Sequence, residues 1–318
     1  MRISTGAIAA MALMVSSAGA AQTGQEITAP GPQGELHGSF VAPANGRPIV
    51  LIIPGSGPTD RDGNNPLGMR AASYKLLAEG LAESGIGSVR IDKRGMFASV
   101  AAVPDPNAVT IGDYVADVGS WVRAIRERTG ASCVWLVGHS EGGLVALAAA
   151  GKVEHLCGLV LIATPGRPLG DVVREQFQAN PANAPVLADA LGAIAKLEAG
   201  EHVDVAGFHP ALQQVFAPQV QDYLIAMMAL DPVALAAGTR LPMLILQGGN
   251  DIQVSLADAA ALHAARPDAA YVVLDDVNHV LKAVDSDDRA ANIGTYADPN
   301  LPIASAVVEA IVAFIGES

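Results

Sequence analysis

Cationic residues are scarce in this 318-residue chain: Lys and Arg number 19 against 32 Asp and Glu, a formal net charge of −13. So acidic a chain is repelled by phosphate backbones and by anionic membrane surfaces, which argues against a nucleic-acid binder. Charge of either sign amounts to only 16% of the residues while 51% are hydrophobic, so disorder is excluded and one sizeable core, or a core plus a subdomain, is within reach. The 33 glycines and 20 prolines follow no fixed period, which excludes collagen, repeat arrays and coiled coils and leaves many tight turns between short elements. No phosphate-loop lysine motif and no zinc-protease helix motif occurs. Gly55-Ser56-Gly57 fails as a dinucleotide loop because Asp60 stands where its third glycine would be.

One apolar run opens the chain. Met1 and Arg2 give a short positive start, residues 3–15 are mostly small and apolar, and Ala18-Gly19-Ala20 offers a small-residue cleavage site. Residues 1–20 therefore read as an export signal, and the expected destination is periplasmic or secreted. Gly6, Ser16, Ser17 and Gly19 interrupt the run and leave it short for a bilayer, so no stable membrane insertion is expected after cleavage. Cysteine is nearly absent, with only Cys133 and Cys157. Each begins a strand-like run. In an oxidising compartment they either pair, if those strands are parallel neighbours, or remain two buried thiols.

From Pro48 onward, short apolar strand-like runs at residues 49–53, 87–92, 133–137, 158–163, 243–247 and 270–275 alternate with helix-like segments at 73–84, 111–129, 144–152 and 256–265. This is the order of a mostly parallel sheet covered on both faces, and residues 304–315 suit one more covering helix. A hairpin over residues 26–42 fits the sheet edge. Residues 165–238 break the alternation with alanine-rich helical pieces split by prolines, and read as a helical cap inserted within one domain of residues 21–318.

Gly138-His139-Ser140-Glu141-Gly142-Gly143 follows one of these strands and precedes a helix, the context a nucleophile elbow requires. A serine hydroxyl needs a histidine base held by a carboxylate. Among the seven histidines, His279 follows the last strand, and Asp251 follows the strand before it. Both loops open at the same sheet edge as Ser140. Asp275 and Asp276 are weaker alternatives, too close in sequence to His279. Oxyanion donors are expected from the N–H groups of Ser56 and Glu141. Asp60, Arg61 and Asp62 read as a self-bonded turn in preference to an anion site.

In these motifs the chain resembles the α/β-hydrolase superfamily, in particular a bacterial branch of exported esterases and serine aminopeptidase-like hydrolases. Arg90-Ile91-Asp92-Lys93-Arg94-Gly95 is similar to that family's strand-four signature, with Phe97 in place of a second glycine and Ser99 retained. Pro54-Gly55 replaces the frequent His-Gly before the oxyanion donor. The resemblance implies an α/β fold with an eight-stranded, mostly parallel sheet, helices on both faces and a cap after strand 6. It further implies a Ser140–His279–Asp251 acyl-enzyme mechanism on a small-molecule acyl substrate, without metal or organic cofactor. Carboxylic esters are the expected substrates. Amides, peptides and thioesters share the chemistry, and Glu198, Glu201, Asp204 and Asp222 are candidates for binding a free amino terminus. A non-catalytic binding protein is the reading from another class.

Overall fold

The computed structural model describes residues 24–286 and 288–317, so the leader expected over residues 1–20 lies outside the described residues. Eight strands follow in chain order: β1 (Gln25–Pro30), β2 (Glu35–Val41), β3 (Ile49–Ile53), β4 (Gly87–Ile91), β5 (Val134–His139), β6 (Leu156–Ile162), β7 (Met243–Gly248) and β8 (Ala270–Leu274). They form one sheet in the order β1-β2-β4-β3-β5-β6-β7-β8. β3 to β8 run parallel, and the β1–β2 hairpin adds an antiparallel edge next to β4. This is the α/β-hydrolase order, with the mostly parallel eight-stranded sheet expected from the sequence.

The central strands are apolar along their length because both faces are covered. Leu51, Ile53, Val134, Leu136, Leu159 and Ile245 face one side, against α2 (Ile111–Thr129), α3 (Glu141–Ala150) and α9 (Leu256–Ala265). Val50, Ile52, Trp135, Val137, Val160 and Leu246 face the other, against α1 (Ser73–Glu83) and the C-terminal α11 (Ser305–Glu317). Strand alternation thus survives inside a run with no polar face. Where helix ends carry strong local signals, the boundaries match the sequence expectation: α2 starts at a Thr110–Asp113 capping box and stops at Gly130 with φ 74°, and α9 starts at a Ser255–Asp258 box. Phe97, at the place of the family glycine, has φ 48°, the left-handed conformation that glycine adopts without strain.

Between β6 and β7 lie α4 (Leu169–Ala179), α5 (Leu187–Glu198), α6 (Pro210–Val215), α7 (Gln221–Met228) and α8 (Pro232–Gly238). The first four share a core of their own, with Ile194, Leu197, Leu212 and Phe216 at its centre. α8 instead joins the main core through Ala236. The insertion is tied down where it begins: Asp258, fully buried on α9, accepts from the N–H groups of Gly166 and Arg167 at 3.2 and 3.1 Å and from the Arg167 guanidinium at 2.7 Å.

Cys133, immediately before β5, and Cys157, in the neighbouring parallel β6, form a disulfide with their Cα atoms 5.2 Å apart. It clips the amino ends of the two strands whose carboxyl ends carry Ser140 and Ala163. Closing this 24-residue separation stabilises the chain by roughly 3 kcal/mol through the entropy removed from the unfolded state. Thermal unfolding of Cys133→Ser/Cys157→Ser should therefore fall by roughly 5–10 °C in scanning calorimetry, with catalytic rate unchanged well below the transition.

Candidate active site

The turn from β5 into α3 places Ser140 at φ 54°, ψ −123°, at the start of the helix. Backbone so strained persists only where its surroundings fix it. Here the Ser140 N–H donates to Ile162 O on β6 at 2.8 Å. The two flanking glycines are needed for close approach: a Cβ at Gly138 would come within 2.6 Å of Gly143 Cα, and one at Gly142 within 2.7 Å of Pro54 O. This explains why α3 opens at Glu141, although the apolar pattern starts it at residue 144. The glycines that look like a loop in the sequence are helical because α3 must press against the strands.

Asp251 and His279 meet at the same carboxyl edge. Asp251, in the turn after β7, accepts from the Gln253 and Val254 N–H groups at 2.7 and 2.9 Å through Oδ1. Its Oδ2 lies 2.7 Å from His279 Nδ1, with both side chains buried. The carboxylate is held by its own turn and aimed at the imidazole, so Nδ1 carries the proton and Nε2 is left as the acceptor. The residues around His279 shape its turn: Asn278 Oδ1 accepts from the Lys282 N–H at 3.1 Å, and Lys282 Nζ donates to Leu301 O at 2.5 Å.

His139 points away from the Ser140 hydroxyl and joins the other parts. Its Nε2 donates to His279 O at 2.9 Å, and its Nδ1 accepts from the Tyr74 hydroxyl at 2.8 Å. Its ring lies 4.7 Å from that of His279. Burial, reinforced by the neighbouring His279, pushes the His139 imidazole down to about 3, so it stays neutral. Tyr74 in turn accepts from the Gly55 N–H at 2.9 Å, and Gly55 O accepts from Lys93 Nζ at 2.7 Å. With both ends of this residue fixed, the planar Gly55–Ser56 peptide directs the Ser56 N–H away from Lys93. Neither that N–H nor the Glu141 N–H, the first of α3, has a hydrogen-bond partner among the described residues.

Sequence reasoning did not assign these supporting roles. Lys93 stands in a quoted motif without a task, and Tyr74, Tyr114 and Tyr223 carry no assignment. The one available signal is a lysine at the carboxyl end of a buried parallel strand, where open α/β sheets bind ligands. Burial lowers the Lys93 ammonium while Glu141 opposes the shift. Lys93 Nζ and Glu141 Oε1 are 3.8 Å apart, with side chains 5% and 7% exposed. Ser56, Ser140, Glu141 and Lys93 all line a cavity of about 550 Å³ that is roofed by α4 and α7.

The remaining candidates lie elsewhere. Arg61 donates to Asp92 from its backbone N–H, Nε and terminal nitrogen at 2.9, 3.0 and 2.7 Å, and reaches Glu26 at 2.9 Å. Asp60 Oδ1 accepts from the N–H groups of Asp62 and Asn64, so this is the self-bonded turn. Glu198 pairs with Arg174 at 2.6 Å and Asp222 with His202 at 2.8 Å. Neither these acids nor Glu201 and Asp204 line the cavity.

Two outcomes follow from this network. Lys93→Met, which keeps the volume and removes the contact to Gly55 O, should lower kcat by about 10- to 100-fold with little change in KM, read from steady-state kinetics. His139 binds its proton far less readily in the folded chain than at the ordinary 6.5, so the unfolded chain takes up the proton first. Its contribution is complete above pH 6.5 and is lost as pH falls towards 3, with a slope of at most about 1.4 kcal/mol per pH unit. Urea unfolding at a series of pH values should show a flatter acid limb in His139→Gln than in the parent.

Comparison with known proteins agrees with this fold. The family described as serine aminopeptidase, S33, matches residues 67–194. An esterase of Thermotoga maritima, EstD, is 29% identical over 245 residues, which is 74% of this chain and 54% of that protein. The chain thus spans about half the length of this curated relative. Among solved structures, a thermophilic esterase from Thermogutta terrifontis superposes with a TM-score of 0.56 at 20% identity, covering 92% of this chain and 98% of that one. A Pyrococcus furiosus esterase superposes with a TM-score of 0.58 at 14% identity, covering 92% and 90%. At such identities the structures speak for the fold alone. Strand order and structural neighbours together give this chain the α/β-hydrolase fold, and in sequence it is similar to serine aminopeptidase-like hydrolases and to an esterase.

Proposed function

We propose that the protein is a serine hydrolase of carboxylic esters. The observation that carries this reading is the bonded Asp251–His279 pair, 2.7 Å apart, at the sheet edge where the strained Ser140 turn opens. In this reading His279 Nε2 takes the Ser140 Oγ proton as Oγ bonds to the acyl carbon. The carbonyl oxygen becomes an oxyanion that accepts from the Ser56 and Glu141 N–H groups. Collapse of the tetrahedral intermediate breaks the bond to the alcohol, which leaves with the proton from His279. Water, deprotonated by the same imidazole, then attacks the acyl-enzyme and releases the acid and Ser140. Asp251 fixes the Nδ1–H tautomer throughout.

A second reading is amide hydrolysis, favoured by the match to the serine aminopeptidase description. The four cap acids that could hold a free amino terminus, Glu198, Glu201, Asp204 and Asp222, lie away from the cavity, and Glu141 within it is already offset by Lys93, which supports esters over peptides. We also propose that the chain is exported. The leader composition and the Cys133–Cys157 bond support this, since structural disulfides persist in oxidising compartments. Export in turn disfavours acyl-CoA thioesters as substrates.

The test compares a nitrophenyl acyl-ester series with aminoacyl nitroanilides. Ester turnover should dominate, and Ser140→Ala and Asp251→Asn should each lower it by about 10⁴-fold or more. Anilide turnover equal to ester turnover would move the assignment to a peptidase, and full activity in Ser140→Ala would remove the mechanism.

A further inference from the structure

The cavity beside Ser140 has two kinds of wall. Val172, Val173, Phe177, Val220 and Leu224 give it an apolar wall from the cap, where the Gln176 and Asn183 amides donate to backbone carbonyls. Lys93, Glu141 and Tyr114 of the body and Tyr223 of α7 make the other, next to the candidate nucleophile. Lys93 sits 5.7 Å from the centre of the Tyr114 ring, and the Tyr114 and Tyr223 rings meet edge-on with centroids 6.2 Å apart. The polar groups therefore form one cluster, contributed by the body and by cap helix α7.

Two members of this cluster make no hydrogen bond of good geometry. The buried Tyr223 hydroxyl has none, although it lies close enough to the Glu141 carboxylate to feel it, and burial together with that carboxylate holds it protonated, as a donor. Glu141 has an ion-pair contact with Lys93 at 3.8 Å and no side-chain hydrogen bond of good geometry among the described residues, although a carboxylate has room for about four. An unpaired donor and an under-used acceptor thus face the same cavity, an arrangement that is costly when empty of partners. The charges nearby select what can complete it. A ligand ammonium drawn to Glu141 would meet Lys93, and a ligand carboxylate drawn to Lys93 would meet Glu141. A neutral hydroxyl meets neither objection, since it donates to Glu141 and accepts from Tyr223.

We propose that Glu141 and Tyr223 form a specificity subsite for an uncharged hydroxyl group on the ester substrate, so that hydroxylated esters are preferred over apolar or charged ones. This inference rests on the ester-hydrolase reading above. The lone donor and acceptor account for the preference over apolar chains, and the compensated Lys93–Glu141 pair accounts for the rejection of both charges.

The experiment measures kcat/KM by pH-stat titration of the full-length protein. On the acyl arm, methyl 6-hydroxyhexanoate and methyl 3-hydroxybutyrate are compared with methyl heptanoate, methyl 3-methylbutyrate, methyl 6-aminohexanoate and monomethyl adipate. On the alcohol arm, 2-hydroxyethyl butyrate is compared with propyl butyrate. At least one hydroxylated ester should exceed its apolar counterpart and the charged esters by about 10-fold, the value of one satisfied hydrogen bond, and the arm that shows it identifies which part of the substrate enters. In Tyr223→Phe the hydroxyl-to-apolar ratio should fall to near one. In Glu141→Gln the adipate ester should gain on the amino ester, because Lys93 loses its counter-charge. Equal rates for hydroxylated and apolar esters in the parent overturn the subsite, as does a preference for the amino ester or a hydroxyl preference untouched in Tyr223→Phe. Hydrolysis surviving in Ser140→Ala would instead overturn the underlying mechanism, so the two failures are distinguishable.

Discussion

The backbone contact between α3 and the sheet is the constraint from which the rest of the site follows. Glycines at 138 and 142 let the helix begin against the carboxyl ends of β3 and β5, with Pro54 O close to where a Cβ of Gly142 would stand. Once the helix starts there, Ser140 is driven to positive φ. Its neighbours are then directed in two ways: the His139 side chain into the protein and the Glu141 side chain into the cavity. One turn thereby supplies a candidate nucleophile, a buried connector and a pocket residue.

The connector is effective because it is neutral. Gly55, Tyr74, His139 and the His279 backbone are bonded in sequence, which couples the loop after β3 to the loop after β8 through the middle of the sheet edge. A proton on His139 would place a cation beside His279 and cost the bond that Nδ1 accepts, and burial prevents this. Lys93 and Glu141 solve the opposite problem. Both side chains are buried beside the cavity, where each offsets the charge of the other, and Lys93 uses a remaining proton to hold Gly55 O.

Much of this was legible in the sequence because the signals were local. The strands at 49–53 and 243–248 are apolar runs bounded by turns, and α2 and α9 carry capping boxes at their starts. Ser140, Asp251 and His279 were found from a glycine pattern and from chain order after successive strands, and the structure brings Asp251 and His279 together. The start of α3 was misread, because glycine's low helix propensity is overridden by a tertiary contact that the local pattern does not contain. Tyr74 and Tyr223 sit at helical core positions, and their hydroxyl ends give no periodic signal. The fate of Cys133 and Cys157 was left open by spacing alone and depended on β5 and β6 being neighbours.

The sequence by itself determined the alternation of strand and helix, the elbow and the order of its partners, because each is written within a few residues by hydrophobicity, glycine placement and turn chemistry. Only the tertiary structure decided which polar groups share a cavity and which are occupied elsewhere. Arg61 is consumed by Asp92 and Glu26, while Lys93, in the same stretch of chain as Asp92, turns to Gly55 and Glu141. A charged side chain takes the partner that burial brings within reach, and that reach is set by segments far away in sequence.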